Sequence, residues 1–148
     1  MSVDVETQIE ILRPRSEVAA FAADPDNATA WYRNIKRVEW RTDRPLQVGT
    51  RVAFAAEFLG RSMAYTYEVV ALDPGERLVM RTSDGPFPME TIYAWADGPA
   101  GSTVMVLRNR GEPAGFSRLT RPMMAAAMRR ANNGDLRRLK AALESGRA

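Results

Sequence analysis

Six residues near the end of the chain, Met124, Met128, Asn132, Leu136, Leu139 and Leu143, follow one another at spacings of three and four, the period of a single helix face. Asn132 is the one member of that apolar stripe able to do polar chemistry. An amide there costs about 1 to 3 kcal/mol if it lacks a partner, so it must bond to something. A ligand carbonyl or hydroxyl would serve, and so would a backbone group, a trapped water or solvent. Tyr65, Tyr67 and Tyr93 add phenols that could orient a carbonyl or phenolate, although tyrosine is common in half-buried strands. Met124 and Met128 together with Trp31, Phe54, Tyr67 and Tyr93 provide soft and flat surfaces that suit rings or acyl chains. Taken singly, each of these is ordinary core material. As a group they point to a cavity, because the small Ala56 and Ala125 leave volume beside them. The candidate ligand-binding set is therefore Trp31, Phe54, Tyr67, Tyr93, Met124, Met128 and Asn132.

The composition removes much other chemistry. The 148 residues contain neither histidine nor cysteine, which excludes disulfides, thiolate nucleophiles, histidine-based triads and nearly all zinc sites; no metal or other cofactor is implied. Proton abstraction beside a carbonyl would need a positioned carboxylate or tyrosine as base. Glu57, Glu68 and Glu90 are expected to point outward, no inward Asp or Glu stands out, and Arg81 and Arg108 are expected to face solvent. The catalytic residues of an enzyme reading are thus unknown. Phe87, between Pro86 and Pro88, is either a lid at the cavity mouth or a turn anchor.

The elements that must hold these residues can be read in order. Thr120 suits a helix N-cap, Pro122 fits the first turn and Leu119 can staple against Met124. A helix from there to about Ser145, ahead of Gly146, exceeds 30 Å at ~1.5 Å per residue. Its first half carries Met, Ala125 and Asn132, and its second half carries Leu. At the other end of the chain, Val3, Val5, Thr7, Ile9 and Ile11 alternate with polar residues as in a strand with one dry face. Two short helices follow, the first opened by Pro14 and Ser16, the second reaching Trp31 after the Asp24-Pro25-Asp26-Asn27 break. Strands are then expected over Arg37 to Thr42, Arg51 to Phe58, Ser62 to Leu72, Leu78 to Ser83, Glu90 to Trp95 and Thr103 to Asn109, separated by Gly- and Pro-containing turns. Joined so tightly they must be antiparallel neighbours. Alternation puts Val52, Phe54, Ala56, Phe58, Tyr65, Tyr67, Val69, Thr91, Tyr93 and Trp95 inward, whereas Thr103 to Asn109 is apolar on both faces and its register stays open. The expected fold is α+β: a seven-stranded antiparallel curved sheet gripping a long C-terminal helix, with two short helices after the first strand, in one domain over 1–148.

No apolar run approaches the ~20 residues of a membrane span, and the start is acidic rather than signal-like, so a cytoplasmic protein is expected. The pI near 9.7 accompanies a formal charge of only +3 with acidic residues interspersed, and no nucleic-acid motif goes with it; no nucleic-acid partner is expected. The oligomeric state is not readable.

With these elements in place, the chain resembles the helix-grip superfamily of START lipid-transfer domains, the birch pollen allergen family and bacterial polyketide cyclases. The resemblance spans the chain. It rests on Ile11-x-Arg13-Pro14-x-x-Glu17-Val18-x-x-Phe21, on Asp24-Pro25-x-Asn27-x-x-x-Trp31, on Gly101-Ser102-Thr103, and on Asp135-Leu136-x-x-Leu139-Lys140-x-x-Leu143-Glu144. It implies a deep, mostly apolar cavity between sheet and long helix, entered near the two short helices. Its members range from carriers to cyclases, so the fold does not select an activity. The leading expectation is binding of a hydrophobic or aromatic small molecule, lipid-like or polyketide-like. A polyketide cyclase or dehydratase-like enzyme is the alternative. A protein-interaction module of the chaperone-activator type, contacting partners through the outer sheet face at Ala53, Ala55 and Ala64, is the third.

Overall fold

The computed structural model describes residues 3–58, 60–84, 88–111 and 121–146. Seven strands run β1 (Val3–Ile11), β2 (Ile35–Trp40), β3 (Arg51–Phe58), β4 (Arg61–Asp73), β5 (Arg77–Asp84), β6 (Met89–Asp97) and β7 (Thr103–Gly111). Helix α1 (Arg15–Ala23) and the single-turn α2 (Ala28–Trp31) lie between β1 and β2, linked by a 3-10 turn at Pro25–Asn27, and α3 (Arg121–Glu144) closes the chain. The strands form one antiparallel sheet in the order β1-β7-β6-β5-β4-β3-β2, the helix-grip arrangement the pattern of apolar residues calls for.

Strand ends lie within two residues of expectation, and the structure settles the one register left open. β2 starts at Ile35 rather than Arg37 and ends at Trp40, and an irregularity between Ile35 and Arg37 re-aims its first residues, as an extra residue in one strand does. In β7, Thr103, Met105 and Leu107 are buried while Val104 and Val106 are half-buried. The register left open by sequence is thus settled by pairing with β1 on one side and β6 on the other. Leu119, Thr120 and Phe87 lie outside the described residues; Pro122 sits in the first turn of α3, as its missing N–H allows.

Local chemistry explains the connections. The β4–β5 turn closes with Glu76 N–H donating to Asp73 O at 2.9 Å, and Gly75 takes φ +79° there, a backbone state that costs glycine little. Asp24 accepts from Asp26 N–H at 2.9 Å and starts the 3-10 turn, a short side-chain cap of the usual Asp type.

At 24 residues and ~1.5 Å per residue, α3 is about 36 Å long and packs chiefly along β1 and against α2. Its two halves do different things. Leu136, Leu139 and Leu143 pack into the main core with Ile11, Val18, Trp31, Leu78, Trp95, Met105 and Leu107. That end is also tied down by polar contacts. Arg13 donates to Leu143 O and Glu144 O at 3.0 and 3.2 Å, and Leu12 N–H donates to the Glu144 carboxylate at 2.8 Å. Met124 and Met128 belong to a separate apolar group with Val3 and Val5, and a third group gathers Ala28, Val52 and Phe54. Among the described residues the buried apolar side chains thus gather in three groups, two of which Tyr32 and Tyr67 both touch, and the space left at their junction is the site.

Candidate functional site: a cavity between the sheet and the last helix

A cavity of about 160 Å³ lies under the first half of α3. Its wall draws on all three clusters: Met80 and Tyr93 from the first, Met124 and Met128 from the second, Phe54 and Ala28 from the third. Leucine fills the far end of the helix, whereas methionine and alanine line this end, where flexible or small side chains leave the space unclosed. Asp24, Asn34 and Ile35, all half-exposed, border the cavity beside the short helices. Outside them runs a shallower groove lined by Arg33, Lys36 and Arg138, with Tyr32 and Ile35 shared between groove and cavity.

Six of the seven residues singled out by sequence come together on this wall: Phe54, Tyr67, Tyr93, Met124, Met128 and Asn132. Trp31 does not. It is 1% exposed and lies in the main core, its ring 4.1 Å from that of Tyr32 and 5.8 Å from that of Tyr93. Trp31 thus backs the two phenols that do face the cavity. The reason is its place on the last turn of α2, where Trp31 turns into the core and the next residue, Tyr32, takes the exit toward the cavity.

Polar groups on the wall fall into three sets. The phenolic oxygens of Tyr32 and Tyr93 are 2.6 Å apart. Asn132, Asn109, Thr91 and Tyr67 form a continuous line, with bonds of 2.7, 2.8 and 3.4 Å in that order. Burial is the main reason the phenols of Tyr32, Tyr67 and Tyr93 are all held above their ordinary pKa, since a phenolate would have to shed its water; that of Tyr65 is pushed up to about 12 by the same cause. All four are therefore neutral O–H groups at physiological pH.

The third set is a correction. The sequence reading found no inward acid, yet Asp135 is 2% exposed and lines the cavity. Its Oδ1 accepts from Arg33 N–H at 3.0 Å and from the Arg138 guanidinium. Arg138 also donates to Trp31 O at 3.0 Å. Burial raises the carboxyl pKa of Asp135, and the Arg33 N–H and the Arg138 charge oppose that rise without cancelling it. A signal was present: Asp135 stands three residues after Asn132 and four before Leu139, on the buried stripe itself. Tyr32, Thr91, Asn109 and Ala131, also on the wall, went unselected because nothing in their local pattern separates them from core or turn residues.

The outward expectations hold for the charged strand residues. Arg81 and Arg110 pair with Glu90, and Arg108 pairs with Asp4, all on the outer sheet face. Among the described residues no cluster of Asp and Glu side chains could hold a metal ion, and no helix is long and apolar enough to cross a membrane.

The same architecture recurs in solved structures. A Thermus thermophilus protein superposes with a TM-score of 0.84 at 18% identity, covering 98% of this chain and 99% of its own. The Zhui aromatase/cyclase from Streptomyces gives 0.82 at 18% identity over 97% and 94% of the two chains. A START superfamily protein from Mycobacterium smegmatis gives 0.74 at 16% identity over 96% and 94%. At these identities the likeness is one of fold. No curated protein matches the chain in sequence. Residues 2–144 match the family described as polyketide cyclase / dehydrase and lipid transport, and with nearly all of the given residues covered the chain belongs to that family.

Proposed function

We propose that the chain binds a small, ring-bearing, largely apolar molecule in the cavity beneath Met124–Asn132. The observation that carries this reading is the cavity itself: about 160 Å³ of space walled by Phe54, Tyr67, Tyr93, Met124 and Met128, at the junction of the three apolar groups. An apolar space of ~150 Å³ is known to hold one benzene ring, so the volume suits one or two fused rings better than a long chain in this conformation. Aromatic faces and methionine sulfurs favour flat guests. Most of the polar groups on the wall bond to one another, which leaves a small number of positions able to orient a guest by hydrogen bonds.

The test is titration of the purified protein with naphthalene by isothermal calorimetry, alongside Met128→Trp, which fills the space with an indole. Saturable one-to-one binding that Met128→Trp abolishes supports the assignment. Binding of unchanged affinity in the filled variant removes it.

A second reading is favoured by Asp135. A buried carboxylate whose pKa is raised is a stronger base than one in water, and Asp135 shares the wall with phenols able to donate to an enolate oxygen. In an enolisation, the Asp135 carboxylate would take the proton from the carbon beside a ketone, the C–H electron pair would become the enolate double bond, and Tyr32 or Tyr93 would hydrogen-bond the oxygen. The name of the Zhui aromatase/cyclase and the family description both accord with such chemistry. Deuterium exchange into 2-tetralone, followed by NMR, tests it. Protein-dependent exchange lost in Asp135→Asn supports the enzyme reading, and exchange no faster than buffer sets it aside.

A further inference from the structure

The line of four side chains on the cavity wall has a direction. Asn132 Nδ2 donates to Asn109 Oδ1 at 2.7 Å, Asn109 Nδ2 donates to Thr91 Oγ1 at 2.8 Å, and Thr91 Oγ1 donates to the phenolic oxygen of Tyr67 at 3.4 Å. A hydroxyl has one proton to give, and that of Thr91 goes to Tyr67. Tyr67 therefore receives a bond along the wall and keeps its own O–H to donate. No described side chain or carbonyl takes that proton; the rings beside it are Phe54 and Tyr65, at 5.8 and 6.1 Å between centroids. At the opposite end, Asn132 spends one of its two amide N–H groups on Asn109, and its Oδ1 accepts from none of the described residues. Asn132 and Thr91 are 7% and 5% exposed. The line thus ends in the unspent O–H of Tyr67 on one side and the unspent acceptor Oδ1 of Asn132 on the other, groups that burial penalises when they stay dry.

We propose that this polarised relay selects the ligand's oxygen chemistry: a ketone or quinone oxygen, which can only accept, seats on the Tyr67 O–H, while a hydroxyl on the same molecule is directed to Asn132 Oδ1. Thr91 and Asn109 are positioning residues. They touch the guest through Tyr67 and Asn132, whose donor and acceptor roles they set. Each donor in the series also polarises the next, which strengthens the bond Tyr67 can make. The inference rests on the reading of the cavity as a ring-binding site and adds to it the class of ring: one bearing a carbonyl.

The experiment compares naphthalene with 2-acetonaphthone, the same ring system carrying a ketone, by calorimetric titration of the wild type, Tyr67→Phe, Thr91→Val and Thr91→Ser. Thermal melts of each variant check folding. One gained hydrogen bond corresponds to about a fivefold to tenfold preference for the ketone in the wild type. Tyr67→Phe is expected to erase that preference, Thr91→Val to reduce it and Thr91→Ser to restore it, since serine keeps the hydroxyl. A merely structural role for Thr91 would move both affinities together and leave their ratio intact. Naphthalene binding with no ketone preference, or a preference that survives Tyr67→Phe, overturns the relay and leaves the cavity reading standing. Failure of both probes to bind the folded wild type overturns the two together.

Discussion

Tyr32 and Tyr93 meet through their phenolic oxygens at 2.6 Å across the cavity wall, although 61 residues separate them in sequence. Both are neutral because burial disfavours the phenolate, so one donates to the other. Their pairing closes α2 against β6 and is backed by the Trp31 ring. Removing either hydroxyl leaves the other unpaired. Tyr32→Phe and Tyr93→Phe are each expected to cost about 1 to 3 kcal/mol, and the double variant to cost less than the sum, with a coupling of about 0.5 to 3 kcal/mol. Urea unfolding of the four proteins measures it; strictly additive losses would show that the bond contributes nothing.

The two halves of α3 predict unequal responses to truncation. Leu139 is fully buried in the main core, and Leu139→Ala is expected to destabilise by about 2 to 5 kcal/mol. Met124 already borders empty space, so Met124→Ala removes fewer contacts and enlarges an existing cavity. Its loss is expected to fall below that of Leu139→Ala by about 1 kcal/mol or more. Denaturant midpoints at constant slope give the comparison.

Asp135 predicts a pH dependence of definite sign. Its folded pKa lies above the ordinary carboxylate value of 3.8, so its contribution to stability is fully present below that value and is lost as pH rises through the folded pKa. Asp135→Asn, which stays neutral, is therefore expected to gain stability relative to the wild type as pH moves from acid to neutral. Melting curves across that range would contradict this if the difference ran the other way.

Glu144, on the last turn of the same helix, predicts the reverse. The Lys140 ammonium and then the Leu12 N–H hold its pKa below the usual 4.5. Its contribution is present above 4.5 and fades as pH falls through the folded pKa. Glu144→Gln is expected to be less stable than the wild type at neutral pH and equal to it in strong acid, with the gap narrowing as salt screens the Lys140 pair.

Much of the fold is legible in the sequence. The period of two in Val3–Ile11 and the period of three to four from Met124 to Leu143 reflect backbone geometry that every strand and helix shares, so they name the buried face directly. The stripe from Met124 through Asn132 to Leu143 is buried at every named position, and the change from methionine to leucine along it marks where the interior opens. The absence of histidine and cysteine is equally a property of sequence alone.

Tertiary structure decided which faces meet. β7 carries apolar residues on both sides, and only its pairing between β1 and β6 turns Met105 and Leu107 inward. Asp135 could be buried because the backbone of Arg33, from the other end of the chain, and Arg138, one turn along, supply its hydrogen bonds; an acid's tolerance of burial depends on partners that local pattern does not name. Trp31 and Tyr32 are neighbours in sequence, yet one backs the wall and the other faces the cavity. Periodicity is a local property of the chain, whereas a cavity is what remains when distant surfaces fail to fill the space between them.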